Sequence, residues 1–191
     1  MRIVKAARKY VLEQDPITDK WLGTDTLYRP ALAGYRALRL LLQEDPDFLP
    51  TIAPDIWKKW APIILAFLPS GDTGDEPQRE LVKSAYDHAP GEIIRALVIL
   101  IDEENEKRNS ISVTRKVERC WDDRLANALL TKAKDKKLKP ECMGCLLVDL
   151  LDHKSGGAKT FAESLIRGSA PAAGDERSKA VVAAYVLMTH A

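Results

Sequence analysis

The stretch that decides the fold is Pro90 to Arg108, PGEIIRALVILIDEENEKR. Between Ile93 and Ile101 the only polar residue is Arg95, and Ala96 to Ile101 is unbroken apolar sequence. A helix that is apolar nearly all round leaves no face for water, so this one is expected to be packed on several sides, with Leu97 and Leu100 in the core. The stretch also recurs. Pro90, Leu97, Val98, Leu100 and Asp102 match Pro140, Leu147, Val148, Leu150 and Asp152 at a constant offset. A weak repeat of helical units is the clearest organisation the sequence shows.

Outward from this helix the same periodicity continues on both sides. Upstream, the loop-like run Ser70-Gly71-Asp72-Thr73-Gly74-Asp75 precedes a helix over Glu76–His88, with Asp75 as its cap. Before it, PDIWKKWAPIILAFLP carries Trp57 and Trp60 one turn apart, expected on one face against a helix over Thr26–Gln43. Pro62 predicts a kink or break in the middle of that segment. Pro30 fits the preceding helix only in its first turn. A short segment around Trp21 and a helix over residues 2–13 complete this half.

Downstream, Ser112–Trp121 and Asp123–Lys134 read as two helices or one bent one, with Val113, Val117, Leu125, Ala128 and Leu129 as the buried stripe. The recurring helix then runs from Pro140 to about His153. Ser155-Gly156-Gly157 marks a break, Ala158–Arg167 a helix, Gly168–Gly174 a connector, and Glu176–His190 the last helix. No stretch alternates polar and apolar residues long enough to make a strand. The expectation is an all-α chain of about nine helices, one domain over residues 1–191, built as an α-solenoid of antiparallel helix pairs. Neither terminal helix carries its own cap or terminator, which predicts a segment of a longer protein.

Composition narrows the function classes. Of 191 residues, 46% are hydrophobic and 30% charged, the balance of a folded chain rather than a disordered one. A formal net charge of +1 provides no global attraction to nucleic acid or anionic lipid, so any such role needs a local patch. Cys120, Cys142 and Cys145 are too few for a disulfide framework, and residues 1–5, MRIVK, do not open a signal peptide. No apolar run is long enough for a membrane span, and a cytoplasmic location without membrane contact is expected.

The chemistry-bearing motifs are sparse. Cys142-Met143-Gly144-Cys145 is a lone CxxC: a zinc site could recruit Cys120 or His153, but the second close pair of ligands is missing, so no metal is expected. Ser155-Gly156-Gly157-Ala158-Lys159-Thr160 lacks the glycine before lysine that a phosphate loop needs, so no nucleotide or other cofactor is expected. His88, His153 and His190 fall near helix C-termini with no nucleophile motif beside them, and no catalytic residue is assigned. The acidic run Asp102-Glu103-Glu104-Asn105-Glu106 reads as a solvated helix end, with Glu103–Lys107 and Glu104–Arg108 as i,i+4 pairs. Trp21, Trp57, Trp60 and Trp121 read as core. Residues 115–139 form the one basic stretch, ending in Lys132, Lys134, Lys136, Lys137 and Lys139. Those five lysines are the candidate nucleic-acid contacts, although Trp121 is the only aromatic residue close in sequence.

The segments ALAGYRALRLLLQEDPDFLPTIAPDIWKKWAPIILAF (31–67) and APGEIIRALVILIDEENEK (89–107) resemble the HEAT-like helical region that lies C-terminal to the NTPase domain in bacterial NACHT-type (STAND) proteins. Pro62 falls where such units bend their first helix, and Asp102 and Asp152 fall near helix ends as in those repeats. The resemblance implies HEAT-like helix pairs acting as a sensor or autoinhibitory scaffold. No Walker motif is present, so no nucleotide-binding residue carries over. The function expected is a non-enzymatic scaffold that recognises a protein partner, with nucleic-acid binding through residues 115–139 as the alternative.

Overall fold

In a computed structural model the structure describes residues 2–24, 26, 28–67, 76–167 and 174–190. Nine α-helices and three short 3-10 segments make up the described residues, with no strand among them. The helices are α1 (Arg2–Glu13), α2 (Arg29–Glu44), α3 (Pro54–Ala66), α4 (Glu76–His88), α5 (Pro90–Lys107), α6 (Asp123–Ala133), α7 (Pro140–Asp152), α8 (Gly156–Arg167) and α9 (Asp175–His190). The 3-10 segments are Thr18–Lys20, Pro46–Thr51 and Val113–Cys120.

Prolines set several of the starts. Pro54, Pro90 and Pro140 are the first residues of α3, α5 and α7, and Pro30 is the second of α2, where a missing N–H breaks no helical bond. Asp122 caps α6, its carboxylate accepting from the Leu125 N–H at 2.9 Å.

Other expectations need correction. α3 runs unbroken through Pro62, which is buried along with Ala61, Ile63, Ile64 and Leu65, so packing holds the helix across the lost hydrogen bond. Val113–Cys120 is a 3-10 segment, not an α-helix. Gly156 and Gly157 belong to the first turn of α8, and the chain turns at Lys154, whose φ of 59° is left-handed. The Asp75 cap and most of the 168–174 connector lie outside the described residues.

Contacts group the chain into two compact units: Met1–Leu100 with Lys116–Cys120, and Ile101–Arg115 with Trp121–Ala191. In the first, α1 packs on α2, α3 on α4, and α2 on both α3 and α4. Its core is aromatic. Trp60 and Trp57 are each 1% exposed, and the Trp60 indole N–H donates to the Val11 carbonyl at 2.9 Å. The expected common docking of the two tryptophans on α2 holds for Trp60, which lies against Gly34. Trp57 stacks on His88 at the end of α4, with centroids 5.3 Å apart. The C-terminal carbonyls of α3 accept from two side chains. The Gln78 amide reaches Ile64 and Phe67, and the Lys116 ammonium reaches Leu65 and Phe67. A cation there opposes the negative end of the helix dipole.

In the second unit α7 is the hub, packing on α6, α8 and α9, while α8 and α9 also pack on each other. Cys142, Met143, Leu146, Leu147 and Leu150 are fully buried along it. Pairs of consecutive helices thus recur in each unit: α1 with α2, α3 with α4, α6 with α7, α8 with α9.

α5 and α7 share a burial register as well as a first proline. Ile93, Ala96, Leu97 and Ile101 are buried in α5, and the equivalent Met143, Leu146, Leu147 and Leu151 in α7. Leu100 departs from expectation: it is half-buried, whereas its counterpart Leu150 is fully buried.

Candidate functional site

The basic stretch does not fold into one charged face. Arg115 opens it. Lys116 donates to the carbonyls ending α3, Arg119 forks onto the Glu76 carboxylate, and Arg124 pairs with Asp122 at 3.2 Å. Lys132, the first candidate contact, is buried, its ammonium donating to Asp102 and to Asp135 at 2.8 Å. Burial pushes the Lys132 ammonium down, and the bonds to Asp102 and Asp135 outweigh it and hold it above the usual lysine range. The same bond holds the Asp135 carboxyl below its ordinary range. Lys139 reaches the Asn109 side chain at 3.2 Å.

That leaves Lys134, Lys136 and Lys137 exposed on the turn between α6 and α7. The turn itself is rigidly tied. Buried Asn105 bonds the Lys137 carbonyl at 3.2 Å and the Lys139 N–H at 2.9 Å, and the Lys179 ammonium bonds the Lys136 carbonyl at 3.0 Å. The structure adds an aromatic group that the sequence did not place there. Phe161 of α8 lies under the Lys134 ammonium, 5.7 Å from nitrogen to ring centroid.

The acidic run at the end of α5 is solvated in part, with Asp102 half exposed and Glu106 exposed, and is also tied into the fold. Asp102 holds Lys132, Glu103 pairs with Lys107 at 2.9 Å, and Asn105 pins the 137–139 turn. Glu104 does not serve as the expected partner of Arg108. Its carboxylate accepts from the Ser112 N–H at 2.7 Å, the Ser112 hydroxyl and the Val113 N–H at 3.1 Å, capping the 3-10 segment.

Titratable groups gather at the C-terminal end of α7. His153 donates from Nδ1 to the Asp149 carbonyl at 2.8 Å, and its ring stacks on Trp121 with centroids 3.7 Å apart. Trp121 is therefore a half-buried surface partner, not core like the other three tryptophans. Nδ1 of His190 lies 2.8 Å from the Asp152 carboxylate. Burial pushes the Asp149 carboxyl up, opposed by the Thr114 hydroxyl and by the charge of His153. A folded-state value above the ordinary carboxylate range means the neutral acid is favoured by folding. That stability is complete below the unfolded value and is lost as pH rises through the folded one. Asp149→Asn is therefore expected to raise the urea midpoint at neutral pH, with the gain vanishing below about pH 4. A gain that is the same at both pH values rules out the titration of Asp149 as its source.

Cys142 is fully buried beside the Arg108 carbonyl, and burial pushes its thiol up, the environment of a small apolar core residue. Cys145 is half-buried and Cys120 buried. No group of three or more His, Cys, Asp or Glu side chains gathers to hold a metal among the described residues. Nor is any helix among them long and apolar enough to cross a membrane.

Three of the four most exposed large apolar side chains among the described residues lie on α9. From Ala180 to Met188 α9 is unbroken apolar sequence. Ala183 and Val186 are buried in the second unit, while Val181, Tyr185 and Met188 are 62%, 64% and 79% exposed. Spaced four and three residues apart, these three share one helix face.

Comparison with family models, curated proteins and solved structures returns no match. Those comparisons accordingly lend no support to the NACHT-type or HEAT-like resemblance.

Proposed function

We propose that the chain is a non-enzymatic helical-repeat scaffold that recognises a protein partner through the open face of α9. The observation that carries this reading is the Val181–Tyr185–Met188 stripe. A helical run as apolar as Ala180–Met188 is ordinarily covered on all sides, and Tyr and Met are among the residues enriched where proteins meet. The consecutive helix pairs and the shared register of α5 and α7 support a repeat, and stacking such pairs as an α-solenoid is part of the proposal. The resemblance of residues 31–67 and 89–107 adds the further proposal that the scaffold serves as sensor or autoinhibitory segment of a larger regulatory NTPase.

A photo-crosslinking residue at position 185 tests the reading. It is expected to give a discrete protein adduct whose purified partner binds the chain, and Met188→Lys is expected to weaken that binding about 30-fold, the size of a hot-spot loss near 2 kcal/mol. Met188 is so exposed that the variant should keep its fold. A partner that binds Met188→Lys as well as the parent chain removes α9 from the interface.

A second reading has one observation behind it: exposed Lys134, Lys136 and Lys137 with Phe161 beside them offer phosphate contacts next to an aromatic ring. Salt-sensitive RNA or DNA binding, lost on reversing those three charges, would establish it in place of the first. Lys132 must be left intact in that variant, because its removal strands Asp102 and Asp135 and confuses folding with binding.

A further inference from the structure

We infer that the open face of α9 is a self-pairing surface, on which a second copy of this chain docks antiparallel about a two-fold axis. The inference deepens the protein-recognition reading and rests on it: the partner becomes this chain itself.

The face is fixed before any partner arrives. α9 packs on both α7 and α8. Val182 closes onto Gly144 of α7, where an added Cβ would come within 2.6 Å of it. Near the start of α9 the Lys179 ammonium donates to the Lys136 carbonyl at 3.0 Å, and at its end Nδ1 of His190 meets the Asp152 carboxylate at 2.8 Å. The helical period puts Lys179 and His190 on the side away from Val181, Tyr185 and Met188. With both ends of the helix held, little order is lost when a second surface docks.

The spacing of the open face is what a self-pairing interface requires. Ser178, Val181, Tyr185 and Met188 are all exposed and follow one another at three, four and three residues. That order reads the same in both directions. Laid antiparallel on its own copy, the stripe sets Val181 against Tyr185 of the second copy and Ser178 against Met188 of the second copy. Each contact then occurs twice, which is the condition for an isologous interface. None of these side chains is charged at neutral pH, so no like charges meet and a strongly acidic or basic partner finds no counter-charge among them. Antiparallel pairing also sets the positive N-terminal end of each helix dipole beside the negative C-terminal end of the other.

The area sets the strength. α9 has 16 residues and is about 24 Å long. Its stripe offers on the order of 300 Å² per copy, under half of the roughly 800 Å² per partner of a standard interface. The pair is therefore reversible, with a dissociation constant on the order of 10–100 μM. Sedimentation equilibrium of the purified whole chain across that range is expected to show monomer passing to dimer, with little change on adding salt. Met188→Lys should stay monomeric, because the new ammonium enters the interface twice. Adding Ser178→Glu to Met188→Lys sets a carboxylate of each copy against the ammonium of the other. That double variant should pair to within about tenfold of the parent, and its pairing should weaken with salt. Both positions are exposed, and an unchanged urea midpoint checks that each variant keeps its fold.

A parent chain that remains monomeric at the highest concentration overturns the inference. So does pairing that Met188→Lys leaves intact. A double variant that stays monomeric overturns the antiparallel register, since a parallel pair does not bring position 178 to position 188. The two readings fail separately. A different purified protein that binds a monomeric parent chain, and is lost in Met188→Lys, removes the second copy as partner and keeps α9 as the recognition face.

Discussion

Replacing Gly34 by alanine is expected to destabilise the first unit by about 1–3 kcal/mol, the range for overpacking a dense core. The sign is what makes the result diagnostic. At an unconstrained helix position the same change stabilises by about 0.5–1 kcal/mol, because alanine gives up less backbone freedom than glycine. Here a Cβ would sit 1.9 Å from Cζ3 and 2.0 Å from Cη2 of Trp60, inside any tolerable contact. The indole has nowhere to retreat. It is 1% exposed, its N–H is bonded to the Val11 carbonyl, and the Tyr10 ring lies 6.4 Å from it. To admit the methyl group, α2 and α3 must move apart or the link to α1 must break. Urea denaturation of the single variant checks the prediction. Combining it with Trp60→Leu, which removes the indole that the new methyl group would meet, should make the two changes strongly non-additive. A higher midpoint for Gly34→Ala would show that α2 and α3 do not approach as described.

What the sequence reveals, and what it hides, follows from the range of the interaction concerned. Helix starts at Pro54, Pro90 and Pro140 and the position of Pro30 are local facts of covalent geometry, so they could be read directly. The apolar run Ala96–Ile101 likewise announced a buried helix. The 3-10 character of Val113–Cys120 was not legible, because over eight residues periods of 3.0 and 3.6 place side chains almost alike. Gly156 and Gly157 read as a break because glycine is costly inside helices, yet at the first turn of α8 that cost is small and Lys154 makes the turn.

The candidate site was hidden by long-range pairing. Counting charges over residues 115–139 made Lys132 look like a free cation, but its partner Asp102 lies 30 residues away. Glu104 was assigned to Arg108 by the i,i+4 rule, whereas its carboxylate turns to an N–H pair that only the fold presents. Phe161 comes beside Lys134 from another helix altogether. The signal for α9 was present in the sequence, in the unbroken apolar run Ala180–Met188, but which side stays uncovered is decided by the packing of α7 and α8.

The second large effect is expected at the equivalent leucines of the two recurring helices. Leu97→Ala and Leu147→Ala should each cost about 2–5 kcal/mol, through lost transfer energy and the cavity that rigid neighbours leave unfilled. Leu97 is 1% exposed and Leu147 0%, and each lies in the buried face that α5 and α7 share. The next pair in register provides the internal contrast. Leu100 is half-buried in α5 while Leu150 is fully buried in α7, so Leu100→Ala should cost clearly less than Leu150→Ala. A purely sequence-based repeat predicts equal costs within both pairs, and a chance match predicts no correlation in either. The structure predicts equality at the first pair and inequality at the second, because α7 packs on α6, α8 and α9 along its length. Denaturant midpoints for the four variants, followed by a probe in each unit, decide among these outcomes. A loss below about 0.5 kcal/mol for Leu97→Ala, the scale of a surface substitution, would remove α5 from the core and the repeat with it.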